Sequence, residues 1–315
     1  MYIPKSDGSK RPLGIPTVRD RVVQTACKLV VEPVFEADFD SHSYGFRPKR
    51  RAVQAVKEIE SLIKQGYVEV LDADISRYFD SIPHKKLLAK IERRISDRKI
   101  INLIKSWLKC SVAEPTESGK WRIAGEKSNR YGIPQDGVIS PLLANIYLHD
   151  LDDSFFNDED GPGKDGEHIL IRYADDFIVL SKQLDSGVKG WIQQKVEALE
   201  LTLHPVKTRQ INVRRESFTY LGFKFSYQRS LYFQGSYYLV IEPRDKSLKA
   251  LMERLSFTVN RWRRSGLDSI IQNVNKILIG WKAYFGAIGY PRRIFRKINA
   301  YILERFYFWS RHLSQ

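Results

Sequence analysis

Tyr173-Ala174-Asp175-Asp176 sits between two short apolar runs, Ile169-Leu170-Ile171 before it and Phe177-Ile178-Val179-Leu180 after it. Runs rich in β-branched residues on both sides of so short a break predict a β-hairpin. The neighbourhood is thereby committed to a sheet with two acids at its turn. Like charges a few ångströms apart are costly to bury unless a cation neutralises them. A hard divalent ion with oxygen ligands is the natural partner, and Mg²⁺ keeps coordination positions for phosphate oxygens. Alone, an Asp pair is more often a solvated turn, so the rest of the chain must decide.

Hydrophobic residues are 43% of the 315 and aromatics 12%, which supplies an ample core and excludes a disordered chain. The formal net charge of +15 and the pI of about 9.6 point to a polyanionic partner. Residues 242–315 carry fifteen Lys/Arg against five Asp/Glu, and residues 1–66 carry twelve against eight. The centre, which holds the Asp pair, is nearly neutral. Two basic flanks around such a centre suit nucleic acid gripped on both sides of a site. Cys27 and Cys110 are far apart and lack His at zinc spacing, so a reducing, cytoplasmic compartment and no structural metal are expected. No apolar run approaches ~18 residues, so no membrane partner is expected. A polar start from Lys5 onward excludes a secretory signal.

A basic, loop-rich opening leads to a helical pattern around Val22–Val31, and Tyr67–Ile75 reads as a strand ending in acids. Helical stripes follow at Leu87/Leu88/Ile91/Ile95 and Ile100/Ile104/Trp107/Leu108. Ser140-Pro141 predicts a helix start, with Ser as N-cap and Pro at N1. The acidic, Gly/Pro-rich stretch Asn157–Gly166 predicts a mobile surface loop. Val188/Trp191/Ile192/Val196/Leu199 marks a helix, Thr219–Ser226 a strand, and everything from Asp245 is helical in pattern. The expected architecture is a mixed α/β body followed by a basic three-helix appendage.

The strand Val68–Ile75 delivers Asp74 to its C-terminal end. One strand-end Asp and a hairpin Asp pair supply the three carboxylates that two-metal nucleotidyl transfer needs. Asp74-Ile75-Ser76-Arg77-Tyr78-Phe79-Asp80, Gly132-Ile133-Pro134-Gln135-Asp136-Gly137-Val138-Ile139-Ser140-Pro141 and Tyr173-Ala174-Asp175-Asp176 occur in that order. They resemble polymerase motifs A, B and C of a reverse transcriptase. Arg11-Pro12-Leu13-Gly14-Ile15-Pro16, Ser43-Tyr44-Gly45-Phe46-Arg47-Pro48 and Ser140-Pro141-Leu142-Leu143-Ala144-Asn145 narrow the resemblance. With Gly280-Trp281 and Tyr284-Phe285, they make the chain similar to the group II intron-encoded reverse transcriptases and maturases.

The resemblance implies an α+β right-hand polymerase: fingers over 1–66, a ferredoxin-like palm with inserted finger helices over 67–241, and a helical thumb over 242–315. It implies an RNA-directed DNA polymerase that takes an RNA template, a DNA primer and dNTPs, and that binds structured intron RNA; further protein partners stay open. Asp74, Asp175, Asp176 and the Ile75 carbonyl would hold two Mg²⁺ ions, for which Mn²⁺ can substitute. Lys207 would be the general acid for the leaving pyrophosphate. Lys5 and Arg11 would clamp the triphosphate, Gln135 would touch the incoming nucleotide, and Phe79 would be the steric gate against a 2′-hydroxyl. Phe218, Leu221 and Gly222 would form the primer grip. Arg261, Arg263, Arg264, Arg292, Arg293, Arg296 and Lys297 would contact phosphates, with Trp281, Tyr284 and Phe285 as thumb core. One departure stands out: Asp136 occupies the place where the family usually has Gly. The short form, without the family's DNA-binding or nuclease regions, leaves two alternatives: a CRISPR-associated relative, or a splicing cofactor with an idle polymerase site.

Overall fold

Short apolar runs and helical stripes alternate along the chain, and the secondary structure follows them. The computed structural model describes residues 2–4, 10–12, 14–110, 112–115, 121–124, 129–183, 185–230, 233, 235–261, 266–289 and 291–311. Strands β1 (Tyr2–Pro4) and β2 (Lys10–Pro12) pair antiparallel. Helices α1 (Val18–Glu36) and α2 (Ala52–Lys64) precede β3 (Glu69–Asp74). Helices α3 (Tyr78–Ser81), α4 (His84–Glu92) and α5 (Arg98–Leu108) follow. Strands β4 (Val112–Pro115) and β5 (Trp121–Ala124) form a small hairpin. Next come α6 (Ser140–Asn157), the hairpin of β6 (His168–Tyr173) and β7 (Asp176–Ser181), α7 (Ser186–Ala198) and β8 (Arg209–Asn212). The chain continues with β9 (Phe218–Tyr220), β10 (Phe223–Arg229) and β11 (Tyr237–Pro243). It ends in α8 (Asp245–Arg261), α9 (Leu267–Phe285) and α10 (Arg292–Arg311).

Two compact units result: Met1–Arg51 with Leu71–Gln210, and Ala52–Val70 with Ile211–Gln315. In the first, the sheet order is β6-β7-β3-β8. A strand, helices, a hairpin, a helix and a strand, with the first strand beside the hairpin, make the split βαβ arrangement of ferredoxin-like folds. Leu71 and Ala73 of β3, Phe177 and Val179 of β7, Tyr147 and Phe155 of α6, and Ile192 and Val196 of α7 share one buried core. Tyr147 keeps its polar end satisfied by donating to the Leu199 carbonyl at 2.5 Å, and Tyr78 does the same to Ala144 at 2.6 Å.

Helix α1 is longer at both ends than its apolar pattern predicts. Thr17 caps it by accepting from the Asp20 amide at 3.1 Å, and Pro33 is carried inside it. The expected N-cap at Ser140 is corrected. Ser140 is the first residue of α6, Ile139 precedes it without a side-chain cap, and the Ser140 hydroxyl donates to the Pro134 carbonyl at 2.7 Å. The expected mobile loop at Asn157–Gly166 is pinned instead. Gly163 donates to the Phe155 carbonyl at 2.9 Å, Lys195 pairs with Asp158 at 2.7 Å, and the Trp191 indole donates to Asp160 at 3.2 Å.

In the second unit, the sheet order is β11-β10-β9. Leu248, Leu251, Leu255 and Val259 of α8 pack with Ile270 and Val274 of α9 and Ile298 of α10, so the three apolar stripes do form one helical core. Trp281 is partly buried against that core and Phe285 is buried.

Candidate active site

Strand β3 alternates, so Asp72 and Asp74 project to the same face while Leu71 and Ala73 enter the core. Beyond Asp74 the backbone is held on both sides of the strand end. His204 donates to the Asp74 carbonyl at 2.7 Å and Ser76 to Thr202 at 2.8 Å, with Ile75 bridged to Leu203 and buried. The β6–β7 hairpin closes at Tyr173 paired with Asp176, leaving Ala174 and Asp175 as a two-residue loop. Ala174 has φ +61°, the left-handed backbone that matches a tight loop to the twist of its strands. Because β7 lies next to β3, Asp175 and Asp176 come beside Asp72 and Asp74.

The electrostatics record that closeness. Burial, followed by the charges of Asp72, Asp74 and Asp175, pushes the Asp176 carboxyl up to about 7, against a smaller opposing pull from Lys207. Asp72 is also raised, chiefly by burial, although Arg209 works against it. The Lys207 ammonium sits 2.6 Å from an Asp74 oxygen. Among the described residues, no three His, Cys, Asp or Glu side chains are disposed to hold a metal ion as they stand. The donor chemistry nevertheless fits one: hard carboxylate oxygens, one of which resists ionising because it is buried beside other acids, are what a divalent cation relieves.

Motifs A and B are laced together. Ile133 donates to the Phe79 carbonyl at 2.7 Å, and Gly132 to Ile82 at 2.9 Å. The buried His84 donates its ring Nε2–H to the Gly132 carbonyl at 2.6 Å. Gly132 has φ +88°, and a Cβ there would meet the Asp80 carbonyl oxygen at 3.1 Å. At the end of this seam the Gln135 amide donates to Asp80 Oδ1 at 3.1 Å. Phe79 is partly buried against the core. Asp136 has φ +78°, a conformation that explains why Gly suits the position.

Beneath the hairpin lies a polar network that sequence reasoning missed. Arg172 is 0% exposed and its partner Asp152 1%. The Arg172 Nε donates to both Asp152 oxygens at 2.8 and 2.9 Å, and its terminal nitrogens reach Asp152, Asn145 Oδ1 and the Ala174 carbonyl, the last two at 3.0 Å. Asn145 in turn donates to the Gly45 carbonyl at 2.7 Å. Gly45 presses on the same turn: a Cβ there would stand 2.8 Å from the Tyr173 carbonyl carbon. The signal available was an Arg inside an otherwise apolar strand run, which has to find an acid when buried. Asp72 was likewise missed, although its spacing of two from Asp74 marks a shared face.

Of the expected nucleotide contacts, Lys5 and the side chain of Arg11 lie outside the described residues, as do Arg263, Arg264 and the side chain of Arg261. Arg292 and Arg293 are exposed at the start of α10. Phe218 is buried and stacked on Phe225, with ring centroids 4.6 Å apart. Leu221 and Gly222 form the β9–β10 turn, with φ +49° and +83°. The Leu221 carbonyl accepts from the Tyr284 hydroxyl at 2.8 Å.

The sequence pattern described as reverse transcriptase (RNA-dependent DNA polymerase) matches residues 3–225. That of the group II intron, maturase-specific domain matches residues 248–314. Protein YkfC of Escherichia coli K12 is 34% identical over 267 residues, 74% of this chain and 67% of that protein. Group II intron-encoded protein LtrA of Lactococcus lactis is 40% identical over 153 residues, 48% of this chain and 24% of its own length. The chain thus spans from about a quarter to two thirds of these relatives. Apo telomerase from Candida tropicalis superposes with a TM-score of 0.59 at 15% identity, covering 97% of this chain and 58% of that one, which shows a shared right-hand fold. On the family match over residues 3–225, joined to the maturase-specific match that follows it, the chain belongs to the reverse transcriptases, in their group II intron-encoded branch.

Proposed function

We propose that this protein is an RNA-directed DNA polymerase that extends a DNA primer on an RNA template with dNTPs. The observation that carries this reading is the acid cluster that the adjacent strands β3 and β7 bring together, where burial first and the neighbouring carboxylates second raise Asp176 to about 7. Asp74, Asp175, Asp176 and the Ile75 carbonyl would hold two Mg²⁺ ions. When bound, these supply charge neutralisation for the attacking primer hydroxyl and for the triphosphate. Lys207, which lies beside the cluster on Asp74 at 2.6 Å, would give a proton to the leaving pyrophosphate. Gln135, oriented by Asp80, contacts the incoming nucleotide, with Phe79 beneath its sugar and Lys5 and Arg11 on its phosphates. Phe218, Leu221 and Gly222 steady the primer. In this reading, 1–66 act as fingers, 67–241 as palm and 242–315 as thumb.

The maturase-specific match over residues 248–314 supports a second role, binding of structured intron RNA by the thumb. It favours an intron context over the CRISPR-associated alternative. Exposed Arg292 and Arg293, with Arg261, Arg263 and Arg264, would contact phosphates without reading sequence. The test is primer extension on an RNA template with dNTPs and Mg²⁺, run beside Asp175→Ala. Extension by the parent and its loss in the variant are expected. No extension by the parent refutes the polymerase reading and leaves the idle splicing cofactor. Failure to bind a structured intron RNA removes the second role alone.

A further inference from the structure

The hairpin of β10 and β11 carries features that neither the acid cluster nor the primer turn uses. Its register pairs Phe225 with Ile241, Tyr227 with Leu239 and Arg229 with Tyr237. Direct partners share a face, so one face of the hairpin runs from a buried end to an open one. At the buried end Phe225 stacks on Phe218. At the open end Tyr237 is 63% exposed. There Tyr227 and Tyr237, with Arg214 from the β8–β9 connection, line an open groove of about 420 Å³, within the usual range of small-ligand sites. Tyr238 stands exposed on the other face. Residues 211–244 carry five Lys/Arg against two Asp/Glu.

Exposed aromatic faces interleaved with guanidinium groups are what an unpaired polynucleotide needs. Bases stack on the rings and phosphates meet the forks. A protein partner would use such tyrosines too, but the positive balance and, among the described residues, a lining of one arginine and two tyrosines favour a polyanion. We infer that the groove of Arg214, Tyr227 and Tyr237 is a single-stranded nucleic-acid site in which one or two bases stack on the tyrosines and Arg214 holds a phosphate. Recognition is sequence-tolerant, since every base has a π-face.

The test uses the full chain without dNTPs or Mg²⁺, so it stands whether or not the protein polymerises. Fluorescence anisotropy follows labelled, unstructured 12-mers of RNA and of DNA. A parallel set containing 4-thiouridine or 4-thiothymidine is photo-crosslinked and mapped by mass spectrometry. Cross-links within residues 211–244 are expected. Tyr227→Ala and Tyr237→Ala should each weaken binding about fivefold or more, while Tyr237→Phe, which keeps the ring, holds the parent affinity. Arg214→Ala should lower affinity for all sequences and reduce the salt slope by about 0.7. Extension of a short pre-annealed primer–template should be unchanged in each. The RNA and DNA arms decide which strand the site prefers. Tyr-to-Ala affinities within twofold of the parent, or cross-links confined to other parts of the chain, overturn the inference. So does a parent that binds neither strand.

Discussion

Replacing Arg172 tests whether the buried network, rather than the hairpin turn alone, sets the Asp175–Asp176 geometry. Arg172 and Asp152 are both out of water, at 0% and 1% exposure. Removing one member strands the other's charge in the core, which costs about 3–5 kcal/mol. That is a large part of the ~5–15 kcal/mol by which domains are stable. Arg172→Ala and Asp152→Ala should therefore each lower the urea unfolding midpoint substantially. Arg172→Lys should fall between, because an ammonium cannot span Asp152, Asn145 and Ala174 as the planar fork does.

The decisive variant is the double replacement Arg172→Met with Asp152→Leu. It removes both charges and fills much of the volume, so stability should return to within about 1–2 kcal/mol of the parent. The Ala174 carbonyl, however, still lacks its donor at 3.0 Å. If that bond holds the turn, Mn²⁺ affinity measured by electron paramagnetic resonance should stay reduced, and primer extension with it. A single Arg172→Ala that unfolds within about 1 kcal/mol of the parent refutes the energetic argument. A stable double variant with parental Mn²⁺ affinity refutes the positioning argument.

Asp80→Ala should raise the dNTP KM about fivefold with kcat nearly intact, as loss of one hydrogen bond of about 1 kcal/mol implies. Asp80→Asn keeps an acceptor for Gln135 and should remain near the parent. Asp136→Gly relieves a left-handed backbone at φ +78° and should raise stability by up to about 1 kcal/mol, read in urea; a lower dNTP KM in the same variant would identify the carboxylate as an attenuator. Gly45→Ala drives a methyl into the Tyr173–Ala174 peptide and should abolish extension while leaving circular dichroism unchanged. Lys207→Ala breaks an ion pair whose lysine is 61% exposed, so stability should move by less than about 1 kcal/mol while single-turnover extension slows.

What could be read from the residues, and what could not, divides by the range of the interaction. The β6–β7 hairpin, the strand ending at Asp74 and the three C-terminal helical stripes are local patterns, and each forms where its period says. The Ser140 cap failed for a local reason as well: Ser was one residue too late, and its hydroxyl was taken by Pro134. Segments distant in sequence were different. Gln135 and Asp80 are fifty-five residues apart and Arg172 and Asp152 twenty, and no periodicity links either pair.

Nor does composition reveal that Lys207 pairs with Asp74 rather than with solvent. That pairing follows from the sheet order β6-β7-β3-β8, which brings the end of β3 beside the approach to β8 only after the chain has crossed between them. The order also explains why the acids tolerate their crowding. Asp72 and Asp74 sit on β3 and Asp176 on the adjacent β7, so their separation is set by the sheet and not by side-chain choice. Repulsion among them cannot be relaxed by local rearrangement. Added to burial, the larger cause, it raises the proton affinity of Asp176, and a cation bound among the acids would relieve both.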